Sequence, residues 1–175
     1  VQFDHVLLDD GFQNLQLKKN REILVMNSVS WGDRIFRERV SRQKLADFVC
    51  TRNPEVFDKL LALGQKTALF DYEVSAPPSN PFVLVTGVAH GPEVRSYLQA
   101  RGFEVLRHYD YQDHQVYSLS MIQKLLSEAK KKNARILLTG KDGVKWNSLL
   151  ERAQLDAQMQ DQIVILEPRI RWIQG

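Results

Sequence analysis

From residue 82 onward, the sequence alternates between short apolar runs and amphipathic segments with helical spacing. Strands are predicted from 82 into a glycine turn at 87, and at 103–106, 135–139, 163–166 and 170–173; helices are predicted at 93–101, 121–131 and 147–160. Aliphatic runs without polar alternation are typical of strands that are buried on both faces. The β-α-β-α-β order therefore predicts a parallel, Rossmann-like sheet covered by helices.

A proline-rich segment divides the chain. It contains three prolines, and proline cannot continue a helix or a central strand. Before it, a helix is predicted at 55–63 and short strands at 6–8, 23–26, 48–52 and 66–72. The fold class is therefore α/β with a mostly parallel sheet. We expect three parts: an N-terminal α/β part over 1–75, a linker over 76–81 and a Rossmann-like lobe over 82–175.

Composition narrows the class of protein. The chain has 175 residues, of which 43% are hydrophobic and 26% charged, as in ordinary soluble globular proteins. No apolar run approaches the roughly 18–20 residues that a membrane span needs. The single cysteine, Cys50, excludes a disulfide within the chain and indicates a reducing compartment. A net charge of +3 suits an anionic ligand, but it does not indicate nucleic-acid binding, so no nucleic-acid partner is expected.

Two adjacent carboxylates follow the first predicted strand. Asp9 and Asp10 come directly after the apolar residues 6–8, and the chain then turns at Gly11. Open α/β sheets present ligand-binding groups at the carboxyl ends of their strands. Because neighbouring carboxylates repel one another, a cation beside them is favoured, and Mg²⁺ prefers carboxylate and phosphate oxygens. The alternative interpretation is a pair of turn or capping aspartates without a ligand.

Two further segments carry candidate binding or catalytic residues. The polar segment 28–42 is rich in arginine, whose planar guanidinium binds phosphate through two hydrogen bonds; the alternative is a solvated connection. Asp113 and His114 lie in a loop after a predicted strand. Since histidine has an unperturbed pKa of about 6.5, His114 is a candidate base, and the alternative is an ordinary surface histidine.

Several common sites are excluded. The sequence has no phosphate-binding P-loop, because Lys141 is followed by Asp142 and Arg135 stands where that loop needs glycine. The spacing of Gly87 and Gly91 does not match a dinucleotide fingerprint. One cysteine with scattered histidines gives no zinc pattern, and no nucleophile-elbow motif supports a serine hydrolase.

Five separated segments, in their order and spacing, resemble the tetraacyldisaccharide 4′-kinase family, the lipid A 4′-kinases of Gram-negative bacteria. The segments are LDDGFQ at 8–13, FRE at 36–38, VTGVA at 85–89, DHQVY at 113–117 and LTGKDGVK at 138–145. The resemblance covers nearly the whole chain but only the C-terminal part of the family's length. It implies that the P-loop lies upstream of residue 1 and that this chain is inactive by itself.

The resemblance also implies a fold and an activity. The fold is P-loop kinase-like with a Rossmann-like C-terminal lobe. The activity is the transfer of the γ-phosphate of ATP, with Mg²⁺, to the 4′-hydroxyl of a lipid A disaccharide precursor. This reaction takes place at the cytoplasmic face of the bacterial inner membrane, and the parent's N-terminal part is expected to contact the membrane surface.

The positions that match the family's motifs imply roles for individual residues. The resemblance assigns metal binding to Asp9 and Asp10, substrate or phosphate binding to Gln13, Arg37 and Glu38, and catalysis to Asp113 and His114. Within the last pair, His114 is expected to activate the sugar hydroxyl together with an aspartate upstream of residue 1.

The sequence departs from the family's pattern in places. Asn14 stands where histidine is usual, and Gly140 stands where glutamate is usual. Two other interpretations therefore accompany the kinase. One is a non-catalytic α/β module that binds an anionic partner through Arg37, Arg39 and Arg42, and the other is a divergent nucleotide hydrolase.

Overall fold

The chain forms two compact units. A computed structural model describes residues 4–9, 11–12, 14, 16–26, 46–74, 80–153 and 161–175. The first unit comprises Val1–Glu73 together with Arg169–Gly175, and the second comprises Val74–Pro168. Each unit is built on its own four-stranded sheet.

The first unit contains a mixed sheet and one helix. Strands β1 (Ile23–Val25), β2 (Phe48–Thr51) and β3 (Thr67–Glu73) are parallel, and β8 (Arg169–Gln174) pairs antiparallel with β3. Helix α1 (Pro54–Ala62) begins at Asn53, whose side chain accepts hydrogen bonds from two backbone N–H groups of the first turn. This cap satisfies donors that a helix start leaves unpaired. The predicted helix at 55–63 and the predicted strand at 48–52 are confirmed.

The second unit is a parallel sheet covered by helices, as predicted. Its elements in chain order are β4 (Phe82–Thr86), α2 (Gly91–Gln99), β5 (Val105–Asp110), α3 (Leu119–Lys131), β6 (Arg135–Thr139), α4 (Gly140–Arg152) and β7 (Ile163–Leu166). All pairings are parallel, in the order β5-β4-β6-β7. The prediction of a Rossmann-like α/β lobe is therefore confirmed for this unit.

Both faces of the central strands of the second sheet are buried, and successive side chains point to opposite faces. Val83 and Val85 of β4 belong to a core with residues of α3 and α4, such as Ile122 and Trp146. Phe82 and Leu84 point to the other face and pack with Leu98 of α2. The sequences of the central strands are continuously apolar because side chains on both faces of these strands are buried.

The strand order places a topological switch point at β4. The chain leaves β4 for β5 on one side and returns to β6 on the other side. In open α/β sheets, ligands bind outside the carboxyl ends of the strands at such a point. The residues that follow β4 and β6 are therefore candidates for a functional role.

The structure corrects three sequence predictions. Residues 5–8 are not a buried strand: they have no regular structure, and Val6 and Leu7 are 73% and 95% exposed. A strand needs a neighbour for its backbone hydrogen bonds, and none of the described strands pairs with this stretch. Helix α4 begins directly after β6 rather than at 147, because Thr139 caps it.

The third correction concerns the last strand. Sequence spacing placed it with the Rossmann-like lobe, whereas β8 pairs with β3 in the first unit. Glu167 and Pro168, which have no regular structure, separate β7 from β8, and the two strands join different sheets. The predicted domain boundaries as a whole stay a prediction, as does the linker, of which residues 75–79 lie outside the described residues.

Within the described part of the chain, no helix is both long enough and apolar enough to cross a membrane.

Candidate functional site

The predicted site residues fall into two groups. Asp9 lies in an exposed turn of the first unit, whereas Asp113 and His114 lie in the second unit. Four further candidates lie outside the described residues: Asp10, Gln13, Arg37 and Glu38. Asp113 and His114 therefore lie side by side in the second unit. Asp9 is described only by its surroundings in the first unit.

Asp113 and His114 occupy the tip of a tight turn between β5 and α3. The N–H of Gln115 donates to the carbonyl oxygen of Gln112 at 3.0 Å, which closes the turn. The backbone N–H of His114 donates to Oδ1 of Asp113 at 3.0 Å. The His114 side chain is 87% exposed, with Nε2 3.8 Å from Oδ2 of Asp113. The imidazole is thus presented to solvent beside a carboxylate, where a substrate hydroxyl could reach it.

The backbone of His114 is in the left-handed region, with φ at 61°. This conformation costs a non-glycine residue about 1–2 kcal/mol, although histidine is among the residues that adopt it more often. Unfavourable backbone conformations persist where surrounding contacts fix them, and they cluster at functional sites. The contacts that fix this turn are therefore considered together with the candidate site.

The N-terminal arm of the turn is anchored to β4. The N–H of Tyr111 donates to the carbonyl oxygen of Thr86, the last residue of β4, at 2.7 Å. The Tyr111 ring also packs edge-on against Tyr117, with ring centroids 5.9 Å apart. This arm consequently starts from a fixed point at the carboxyl end of the central strand.

The C-terminal arm is anchored to α4 by two contacts. The Tyr117 hydroxyl donates to Oδ1 of Asp142 at 3.0 Å, and Lys145 Nζ donates to the carbonyl oxygen of Gln115 at 3.2 Å. Burial, together with the Asp142 carboxylate, raises the pKa of the Tyr117 hydroxyl far above its usual range. Tyr117 therefore stays protonated and keeps its role as a donor.

Asp142 is a fully buried carboxylate at the switch point. Its Oδ2 accepts from the backbone N–H of Gly87 at 2.9 Å and from the Thr139 hydroxyl at 2.7 Å, and Lys145 Nζ lies 3.8 Å from Oδ1. It also lies in the first turn of α4, where the helix dipole favours a negative charge. These partners compensate a charge that burial alone would make costly.

Sequence reasoning missed this role of Asp142. It considered the residue as a mismatch to the P-loop pattern and as part of the family-like segment 138–145, without a role of its own. A local signal was present, because threonine followed three residues later by an acidic residue is typical of a capped helix start. No local signal indicated the bond to Gly87, since the two residues are separated by 55 positions.

A second polar cluster joins the carboxyl ends of β4 and β5. Thr86 Oγ1 donates to Oδ1 of Asp110 at 2.8 Å and lies 2.7 Å from His108 Nε2. Because the Thr86 hydroxyl donates its hydrogen bond to Asp110, its oxygen accepts a hydrogen bond from Nε2–H of a neutral His108. Burial lowers the pKa of His108, against the opposing effect of Asp110. A Cβ on Gly91 would overlap the Asp110 carboxylate, so this cluster is closely packed against the start of α2.

The described residues offer few donors for a metal ion. None of these residues forms a group of three or more His, Cys, Asp or Glu side chains that could hold a metal. Asp9 supplies one exposed carboxylate. Mg²⁺ is usually held by one or two carboxylates together with water and substrate phosphates, so the chemistry of Asp9 fits this ion.

Comparison with known proteins identifies relatives of this chain. Residues 1–174 match a family model described as tetraacyldisaccharide-1-P 4′-kinase (LpxK). The tetraacyldisaccharide 4′-kinase of Shewanella loihica is 27% identical over 95% of this chain and 54% of its own length. Its counterpart in Caulobacter vibrioides is 30% identical over 80% of this chain and 48% of its own length. The chain thus spans about half the length of the curated relatives it matches.

A solved structure shares the fold. A crystal structure of LpxK from Aquifex aeolicus in complex with ATP has a TM-score of 0.64 and 19% sequence identity, over 93% of this chain and 51% of that chain. This agreement supports the predicted P-loop kinase-like fold class. Because the family model matches almost every residue, the chain belongs to the tetraacyldisaccharide-1-P 4′-kinase family.

Proposed function

We propose that the full-length protein carrying this chain transfers the γ-phosphate of ATP to the 4′-hydroxyl of a tetraacyldisaccharide 1-phosphate, a lipid A precursor. The observation that carries the proposal is the family match over residues 1–174. The geometry of the second unit supports it, because an exposed histidine beside a carboxylate stands on a turn that is fixed at both arms.

His114 is the proposed base. Its neutral imidazole takes the proton of the attacking hydroxyl, and a carboxylate orients the ring and stabilises the positive charge that it then carries. Such help is typically worth about 10²–10⁴-fold in rate. Asp113 is the carboxylate that the structure provides beside it, with Oδ2 3.8 Å from Nε2. Phosphoryl transfer depends on positioning and charge stabilisation more than on covalent chemistry, so a fixed base suits this reaction.

The remaining roles belong to the acidic and arginine-containing segments. Asp9 and Asp10 are proposed to hold Mg²⁺, which neutralises phosphate charge when bound. Substrate or phosphate contacts are proposed for Gln13, Arg37 and Glu38. The full-length protein is further proposed to act at the cytoplasmic face of the inner membrane, where a lipid precursor with acyl chains is held.

We further propose that residues 1–175 do not turn over ATP on their own. Support comes from the sequence, which contains no P-loop, and P-loop kinases hold the β- and γ-phosphates with that loop. Incubating the 175-residue chain with ATP, Mg²⁺ and the disaccharide acceptor should release no product. Clear turnover by this chain would refute the proposal that residues 1–175 are inactive on their own.

The kinase proposal is tested in the full-length protein with radiolabelled ATP and tetraacyldisaccharide 1-phosphate. A labelled 4′-phosphate product is expected, and His114→Ala should lower kcat by about 10²–10⁴-fold. His90→Ala is the matched control, because His90 is also exposed, at 75%, and lies in the same unit. Release of free phosphate without a lipid product would indicate the nucleotide hydrolase instead. Binding of an anionic partner without ATP or Mg²⁺ would indicate the binding module.

A further inference from the structure

Two charged residues of α4 have no role in the proposed reaction, although they contact the segment that carries His114. Asp142 is fully buried and Lys145 is about one-third exposed. They lie at the switch point of the second sheet, where proteins of this architecture commonly bind a ligand. Here the Tyr117 hydroxyl and the Asp142 carboxylate meet directly beside Gly87.

The contacts of these two residues converge on the turn from one side. Lys145 donates to the carbonyl oxygen of Gln115, the residue directly after His114. Asp142 accepts from Tyr117, three residues after His114. A cation and an anion on one helix thus hold two successive points of the same arm.

The same carboxylate connects this arm to the central strand. Asp142 accepts from the N–H of Gly87, directly after β4, and Tyr111 on the other arm donates to Thr86, the last residue of β4. Both arms of the turn are therefore connected by hydrogen bonds to the same backbone segment, Thr86 and Gly87; the C-terminal arm is connected through Asp142. This closed arrangement leaves the turn little freedom to change its width.

Gly87 shows how closely these groups approach. A Cβ at this position would lie 2.8 Å from the Tyr117 hydroxyl oxygen, 2.9 Å from Oδ1 of Asp142 and 3.0 Å from Cβ of Gln115. Gly87 is not in the left-handed region, so close approach is the reason that glycine is needed here. The side chains of the arm pack directly onto the strand end.

We propose that Asp142 and Lys145 are positioning residues that hold the Asp113–His114 turn in its catalytic geometry. The effect on phosphoryl transfer rests on the proposed function, whereas the effect on the geometry of the turn does not. Neither residue touches a reacting atom in this proposal. They act through Gln115 and Tyr117, which fix the arm that follows His114.

The first test measures the turn directly in the 175-residue chain. The NMR ¹³Cα and ¹³Cβ shifts of His114 report its backbone dihedrals, and we expect Lys145→Met to move them towards the values of a flexible histidine. Lys124→Met is the matched control, because Lys124 is an exposed lysine on α3 of the same unit and has not been assigned to the site. Unchanged His114 shifts in Lys145→Met, or equal shifts in both variants, would overturn the proposal.

The second test measures catalysis in the full-length protein. We expect Lys145→Met to lower kcat about tenfold to a hundredfold with the KM for ATP unchanged, since misplacing a group by about 1 Å can cost about 10²-fold. Lys124→Met should retain the wild-type kcat. An increase in KM with an unchanged kcat would overturn the positioning role.

A further variant covers the case in which Lys145→Met fails to fold. Tyr117→Phe keeps the ring that packs against Trp146 and removes only the hydroxyl that donates to Asp142. It should move the His114 shifts and lower kcat in the same direction, and wild-type values in this variant would overturn the proposal. If the unmodified full-length protein forms no lipid product, the proposed function fails, while the His114 shifts still decide the positioning role.

Discussion

Replacing Gly87 by alanine tests the close packing at the end of β4. The added Cβ would meet three atoms at 2.8, 2.9 and 3.0 Å. The first two distances are essentially never found for real Cβ atoms, and the third is unusually short. Two of these atoms form the Tyr117–Asp142 hydrogen bond. The substitution therefore cannot be accommodated without moving the arm that carries His114 away from the strand end.

The cost follows from the groups that must move. Inserting a methyl group into a closely packed site typically costs about 1–3 kcal/mol, and a hydrogen bond to a charged group contributes about 1.5–3 kcal/mol if it is lost. Against this, replacing glycine restricts the unfolded chain and returns about 0.4–1 kcal/mol. We expect a net loss of about 2–4 kcal/mol in the free energy of unfolding of the second unit. Since domains are stable by about 5–15 kcal/mol, the variant should still fold.

The assay is urea unfolding monitored by the fluorescence of Trp146, which is fully buried in the core of the second unit. Trp31 and Trp172 are replaced by phenylalanine in all samples, so that only Trp146 reports. Gly140→Ala is the matched control: its Cβ would meet nothing closer than 3.5 Å, and the residue begins α4. We expect this control to be stabilised by up to about 1 kcal/mol. If Gly87→Ala lowers the free energy of unfolding by less than about 0.5 kcal/mol, close packing does not require glycine at this position.

Three further predictions concern stability. Because His114 has φ at 61°, His114→Gly should be more stable than His114→Ala by about 1 kcal/mol in thermal unfolding; equal stabilities would contradict the strained backbone. Ser118 accepts from the backbone N–H of Met121 at the start of α3, so Ser118→Ala should cost about 1 kcal/mol, whereas Ser127→Ala at an exposed position of the same helix should cost nothing. The lowered pKa of His108 means that the unfolded chain binds the proton more readily. The stability that the neutral His108 contributes is therefore complete above the unfolded-state pKa of about 6.5. It is lost as the pH falls from there towards the lower pKa of His108 in the folded state. Unfolding at pH 7.5 and 5.5 should show a smaller acid loss in His108→Gln than in the wild type, and an equal loss would contradict a neutral buried imidazole.

Periodicity predicted the second unit well because its determinants are local. Strand β4 is apolar on both faces, as a central parallel strand must be. Helix α3 has apolar residues at helical spacing and a serine cap, and both signals lie within a few residues of the element they define. Such elements can be read from a single sequence.

The strand error arose where distant residues decide the structure, and the helix error arose where a local capping signal was overlooked. Residues 6–8 have the composition of a strand, but composition does not supply the neighbour that a strand needs, and Leu7 is 95% exposed. The start of α4 was placed too late, because two glycines lowered its helix propensity while the Thr139 cap and burial of Trp146 outweighed them.

The candidate site could be predicted only in part. Asp113 and His114 stood out by residue type and by their place after a strand. Their anchoring through Gly87 and Asp142 depends on a contact between residues 55 positions apart. No pattern in a single sequence reports such a contact, although it determines how the turn is held.

The pairing of β8 with β3 makes the second unit an insertion within the first. Residues 74–168 are encoded as one continuous segment, whereas the first unit is encoded in two pieces. During synthesis, the second unit is complete before residues 169–174 leave the ribosome, and β3 keeps an open edge until β8 arrives. Because open strand edges invite pairing with other chains, deleting residues 169–175 should promote aggregation through the first unit while leaving the second unit, with its His114 turn, fully encoded.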